Sequence, residues 1–415
     1  MSSQSLAPAE RRAITPAVQM VLPGPLAAFL LCFSAITPIM DWNQNVWWIC
    51  WLLIALWVVR GAKLTRSIWL PLSLLGLAAW MFLSLLWSVN PAKSLQELSF
   101  QFAFILMGML ASVGRDHWDL LKLFVRTGVW FIGFNMLFAF FLPANGQGGE
   151  GSNSTDYKGL FPDKNHFGFF CTTVAVSAVV RAINAERPGQ RLACWLGAGI
   201  GVLGVWLSGS ATALLMTMAW SLLIVLGVGL VRSRRPHKLA ATGVMLLAGS
   251  AIGLMAMNSD QLLAVLGRSS NLTGRTEIWV AVQRAIAERP LTGFGWHALW
   301  LDEDPTSIRF WSYNYGVPFY HAHNGFLELA VELGLVGAVL GWGFIVLLLV
   351  RSLRELRVDP RGRLWPVVLI PLVLAYNLVE VMGFSDATFI VLVALACKAP
   401  ALRKEGTCTS VMHGK

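Results

Sequence analysis

The sequence predicts an all-α polytopic membrane protein, with about 12 transmembrane helices and one large, partly helical loop outside them. Three observations carry this. Only 13% of the 415 residues are charged, roughly half the share usual in a soluble domain. Hydrophobic residues make up 56% of the chain and the mean hydropathy is +0.62. Long apolar runs recur from Pro23 to Ala399, on the scale of the ~20 residues that cross ~30 Å of hydrocarbon.

Taken in order, residues 1–22 are polar and carry Arg11 and Arg12. The apolar run that follows has no small-x-small cleavage site, so it reads as a retained span and not a removed signal. Candidate spans lie at 23–40, 45–60, 67–88, 98–114, 119–142, 165–184, 192–207, 211–231, 239–257, 326–350, 365–382 and 384–399. Residues 23–257 thus hold spans one to nine, broken by a polar loop at 143–165. A second loop fills 258–325, spans ten to twelve occupy 326–399, and 400–415 form a tail.

Placing the N-terminus inside puts 23 of the 32 Lys and Arg residues in inner segments and 8 in outer ones, with Arg126 inside a span. Basic residues favour the cytoplasmic side, so both termini are expected there. The net charge of +10 then follows from topology, and no nucleic-acid partner is expected. None of the six cysteines, at 32, 50, 171, 194, 397 and 408, falls in an outer loop, so no disulfide is expected and no Cys-x-x-Cys metal pattern is present.

Both long loops are outer ones. The first, 143–165, starts with a Gly/Asn/Ser-rich stretch of the mobile kind. The second, 258–325, is not of low complexity, and a loop of that length usually carries function. Within it, Thr273–Pro290 has Ile278, Trp279, Val282 and Ile286 near helical spacing and Pro290 as a stop. One reading lays this amphipathic helix on the outer leaflet, which accounts for Arg284 and Arg289 better than for Arg275. Arg275, at its start, opposes the helix dipole unless an anion binds nearby. "LTGFGWHALW" follows, a glycine-broken aromatic stretch suited to a close-packed re-entrant turn.

The loop ends in "YHAHNGFLELAVELGLVG". His321 and His323 make a metal pair only if a third ligand joins them, and no outer cluster supplies one. Asn324 is placed to cap the next helix. Glu328 and Glu332, one turn apart, enter the span, where ionisable groups are functional suspects. A histidine at that depth has the pKa range to take a proton from a hydroxyl. A transporter or lipid flippase is the competing reading, but no internal repeat links the halves, as transporter folds tend to show. A non-enzymatic scaffold leaves the His/Arg cluster without a purpose.

These motifs together ("FPDKNHFGFF", "LSGSATALL", "GRTEIW", "ERPLTGFGWHALW" and "HAHNGFLELAVELGLVG", from Gly159 to Gly337) resemble the bacterial O-antigen ligase and polymerase superfamily. Their wording is closest to exopolysaccharide polymerases of the succinoglycan type. The resemblance implies a multi-pass inner-membrane enzyme with its site on the periplasmic face and 258–325 as a periplasmic catalytic loop. It implies inverting glycosyl transfer without a metal or other cofactor, from an undecaprenyl-diphosphate-linked glycan to an acceptor hydroxyl. The acceptor is another glycan in a polymerase, the favoured alternative, or lipid A core in a ligase; membrane lipids and a chain-length regulator protein are the further partners. Arg275 matches the family's diphosphate-binding arginine and His323 its base, with Glu328 expected to orient the imidazole. His321, Asn165 and Asn324 are expected at the substrate. Many members carry a basic residue in the turn that here reads Ser208–Thr212; Lys164, Arg309 and Arg268 are the candidates to replace it.

Overall fold

The computed structural model describes residues 70–112, 115–148, 154–232, 273–302, 304–356, 360–384 and 386–397. The expected spans at 23–40, 45–60 and 239–257, both tails and Arg268 lie outside them. Among the described residues the structure is helical, apart from an isolated bridge between Gln147 and Tyr157.

The helices are α1 (Leu72–Leu83, extended by a 3-10 turn to Leu86), α2 (Pro91–Ser112), α3 (His117–Phe141), the single-turn α4 (Pro143–Gly146), α5 (Lys164–Ile183), α6 (Pro188–Leu207) and α7 (Ala211–Arg232). They continue with α8 (Thr273–Glu288), α9 (Pro305–Trp311), α10 (Gly325–Glu355), α11 (Pro360–Tyr376) and α12 (Ala387–Ala396). Five of these, α2, α3, α5, α6 and α10, are long and apolar enough to cross a membrane; α1, α7, α11 and α12 are shorter apolar helices. Each of the nine falls on an apolar run expected to span. Several helix starts are written in the sequence as proline or aspartate. Pro91 and Pro188 open α2 and α6, where the missing N–H costs nothing. Asp116, Asp163, Asp304 and Asp386 cap α3, α5, α9 and α12 by accepting backbone N–H bonds.

Helix α5 is the centre of the bundle. It packs against α3, α6, α7 and α11, and 83% of its apolar window is buried. Glycines on α6 permit the close approach: a Cβ on Gly201 would lie 2.8 Å from the Ala175 Cβ, and one on Gly204 2.6 Å from the Cys171 Sγ. Small residues at such contacts let helix backbones meet where no hydrophobic effect drives them together. The outward face of α3 shows Trp130, Phe134 and Phe141, as a span presents to lipid.

Helix α10 is broken. Gly334 sits at φ 69°, ψ −179°, a conformation essentially reserved for glycine. Around the break, Phe294 N and Gly295 N donate to the carbonyls of Val331 and Glu332, Trp80 Nε1 donates to that of Leu333, and Leu335 N donates to that of Pro290. The segment 290–295 therefore inserts into the gap and pairs the backbone groups the break sets free, the condition for irregular backbone in a membrane protein. The close-packed turn expected of "LTGFGWHALW" is this insertion. Residues 335–355 remain as an apolar rod of ~30 Å at 1.5 Å per residue, so Glu328 and Glu332 sit on the short half-helix before the break.

Helix α8 corrects one expectation. Its apolar stripe of Ile278, Ala281, Val282 and Ala285 is buried against Phe294, Trp300, Phe310 and Val331. Protein covers it, and not a leaflet, because the loop after it folds back with its own aromatic core. Successive helices run antiparallel, so the end of α1, the starts of α2, α5, α7, α10 and α12, and the end of α11 gather at one end of the bundle, with α8 and α9 beside them. Bonds from Val89 to Phe294, Tyr157 to Leu207 and Gly325 to Asn377 tie that end together.

Candidate active site

The site grows from a single carboxylate. Glu380, in the connection between α11 and α12, is 2% exposed. Its Oε1 accepts from Arg275 Nη2 at 2.7 Å and from Asn165 Nδ2 at 3.1 Å. Its Oε2 lies 3.1 Å from His323 Nδ1. Burial pushes this carboxyl upward, but the Arg275 guanidinium, with His323 beside it, more than offsets that and holds it below the ordinary range. Glu380 is therefore an anion.

Each partner is delivered by a local rule. Arg275 and Trp279 stand one turn apart on α8 and so share a face. Arg275 also donates from Nη1 to the Val379 carbonyl at 2.7 Å, and Trp279 Nε1 to the Ala322 carbonyl at 2.9 Å. The arginine and the tryptophan four residues apart thus work as one unit: the first holds Glu380, the second the backbone between the two histidines. Asn324 caps α10 by accepting from Phe326 N and Leu327 N and donates from Nδ2 to the Leu378 carbonyl. Asn165, in the first turn of α5, accepts from Ser210 Oγ at 3.0 Å, which joins the turn before α7 to the cluster.

His323 sits at φ 47°, the left-handed region, sparsely populated by residues with a Cβ and associated with functional sites. Its Nδ1 also lies 3.1 Å from His321 Nε2. Burial, and His323 next to it, push the His321 imidazole down to about 3, so it is neutral at physiological pH. A neutral His321 with its proton on Nδ1 offers an Nε2 lone pair. The His323 Nδ1–H is then shared between that lone pair and Glu380, and the tautomer so assigned leaves His323 Nε2 with its own lone pair unused.

Several expected roles move. Glu328 does not touch the imidazole: its Oε2 accepts the short bond from Ala322 N, pinning the loop between the histidines, and the orienting carboxylate is Glu380. The expectation that no third ligand stands near His321 and His323 is likewise corrected, since Glu380 brings three ligand atoms within 4.8 Å. A separation of 57 residues hid it. Lys164 points to Asp156, with Nζ 2.8 Å from Oδ2. Arg309 pairs with Glu288 at 2.8 Å and is half exposed, remote from Glu380. His166, not singled out in the sequence although it stands in the quoted "DKNHFG", places its Nδ1 2.8 Å from Asp163 Oδ2. Burial raises the Asp163 carboxyl, but His166 outweighs it and draws it well below the ordinary range.

Residues 196–342 match the family model described as O-antigen ligase. Over 306 residues, 66% of this chain and 67% of the relative, the chain is 27% identical to the exopolysaccharide production protein ExoQ of Rhizobium meliloti (strain 1021). The resemblance seen in the motifs is thus a resemblance of whole segments. The matched family segment delivers Ser210, Arg275, His321, His323 and Asn324; Asn165 and Glu380, which complete the cluster, lie to either side of it.

Proposed function

We propose that this membrane protein, similar to O-antigen ligases over residues 196–342, catalyses glycosyl transfer in polysaccharide biosynthesis. The donor is an undecaprenyl-diphosphate-linked glycan and the site faces the periplasm. The single observation that carries the reading is that Arg275 and His323 share Glu380, one on each oxygen. A cation suited to a diphosphate is thereby fixed beside an imidazole suited to a hydroxyl proton.

His323 Nε2 takes the proton of the acceptor hydroxyl as its oxygen attacks the anomeric carbon. Glu380, on Nδ1–H, holds the ring and stabilises the imidazolium that forms, the logic by which a base is oriented by a third group. The bond from the anomeric carbon to the diphosphate oxygen breaks, and its electron pair leaves on the diphosphate. Arginine suits that anion through its bidentate fork. Arg275 spends its fork on Glu380 and the Val379 carbonyl, so diphosphate binding requires it to share or exchange these contacts. A single displacement inverts the anomeric centre. Charge neutralisation by arginine gives the leaving group what a metal would otherwise give, which supports metal-independent turnover.

Polymerisation onto a second glycan is favoured by the exopolysaccharide relative; the description of the matched family keeps transfer to lipid A core as the alternative. The test is reconstituted transfer from a lipid-linked glycan of defined anomeric configuration, in chelator, offered either acceptor. The expected result is an inverted product on the glycan acceptor. A retained configuration would overturn the single displacement, and activity that vanishes in chelator and returns with a divalent ion would overturn metal independence.

A further inference from the structure

We propose that the His321–His323–Glu380 cluster is a binding site for a divalent transition metal of the zinc class, and that the bound metal silences the base. Three ligand atoms converge: His321 Nε2 and His323 Nδ1 are 3.1 Å apart, His323 Nδ1 and Glu380 Oε2 are 3.1 Å apart, and all three lie within 4.8 Å of one another. Tetrahedral zinc with bonds near 2.0–2.1 Å separates its ligands by about 3.3 Å. The two edges that meet at His323 Nδ1 are near that length already, and the third lies within 4.8 Å, so a metal enters by taking the place of the shared proton with a small closing of His321 toward Glu380. Two imidazoles and one carboxylate form a ligand set of the kind zinc uses where a fourth position stays open.

The surroundings are those of a prepared site. Glu380 offers Oε2 to the metal while Oε1 stays hydrogen-bonded by Arg275 and Asn165, the outer-shell support that ligating carboxylates usually have. The backbone between the two histidines is fixed on both sides, by Trp279 at the Ala322 carbonyl and by Glu328 at the Ala322 N–H. The Arg275 cation opposes the metal electrostatically and limits its affinity, which suits reversible occupancy.

Silencing follows from the tautomer. A metal on His323 Nδ1 requires a lone pair there, so in the neutral ring the proton moves to Nε2. Nε2 is the atom that must receive the acceptor's proton, and it is then occupied. The metal binding stands on the cluster alone; its effect on turnover rests on the base role of His323.

The experiment uses the purified full-length protein. Cobalt(II), as an optical probe, is expected to give the strong visible absorption of a four-coordinate site, abolished by zinc. Saturating zinc is expected to lower glycan transfer by about 10²-fold or more, the scale of losing a general base, with recovery in chelator. His321→Asn is expected to weaken zinc binding and the zinc inhibition together by at least about tenfold. If that variant does not fold, protection of the wild-type histidines from acylation by zinc serves in its place. Only the faint absorption of six-coordinate cobalt, zinc affinity unchanged in folded His321→Asn, or histidines acylated equally with and without zinc would overturn the site. Metal bound with transfer undiminished would overturn the silencing and the base assignment together, leaving the binding site intact.

Discussion

At the scale of single residues one carboxylate, Glu380, holds Arg275, Asn165 and His323 together, and the proposed roles of Arg275 and His323 are tested apart. Arg275→Ala is expected to lower transfer by about 10²–10³-fold, the size of losing a preorganised donor at developing charge. Arg275→Lys keeps the charge and loses the fork, so the loss is severe but smaller; wild-type rates in either variant would reduce Arg275 to a structural cation. His323→Ala is expected to cost about 10²–10⁴-fold with expression and donor binding intact. Its neighbour His321 provides the comparison: an assay in which His321→Ala abolishes transfer and His323→Ala does not would move the base by one histidine. Glu380→Gln keeps the volume but offers a neutral amide to His323 Nδ1 and to Arg275. A loss on the order of 10²–10⁴-fold in a folded protein is expected, with an altered pH profile, which a merely structural role would not give. Arg275 and His323 were legible in the sequence because each lies in a compact motif. Glu380 was not, because an acid near the end of an apolar run says nothing of its partners until the chain folds, and the nearer Glu328 offered itself at helical spacing.

At the scale of elements, the break in α10 and the cap of α5 place the site. A Cβ at Gly334 meets the backbone of Leu291 and Thr292 and forces a conformation that glycine alone adopts readily. Gly334→Ala is expected to destabilise the protein by at least about 1–3 kcal/mol, seen as a lower unfolding midpoint in detergent. An unchanged midpoint would mean that the insertion of 290–295 contributes little. Asp163 accepts from Asn165 N and His166 N. Asp163→Ala is expected to cost about 1 kcal/mol and Asp163→Asn much less, since both Asp and Asn cap well; equal losses in the two would assign the effect to charge at His166. Hydropathy made the spans legible but not all their starts: α2 and α6 open at Pro91 and Pro188, ahead of the apolar runs expected from 98 and 192, because their first turns are polar. The break escaped notice, because one glycine in an apolar run looks like any other until its neighbour in space is known.

At the scale of the whole molecule, alternating helices bring the polar clusters to opposite ends of the bundle. Glu380, Arg275 and His323 gather at one, and Arg363, His117, Arg351 and Glu355 at the other. In the orientation expected from the basic bias, the first lies outside. Reporter fusions at Gly148 and Arg354 are expected to read outside and inside respectively; the reverse would place the site on the wrong face for a lipid-linked donor. One consequence concerns the order of synthesis. Five side chains of the cluster come from positions 165, 275, 321, 323 and 380, and the last holds three of the others. Chains are inserted from the N-terminus onward, with domains folding as they emerge. A nascent chain ending at α10 carries His323 and Arg275 but not the carboxylate that joins them. On the proposed roles, the protein becomes competent for chemistry only when its final helices arrive, and a chain cut off before Glu380 is expected to reach the membrane without consuming a donor.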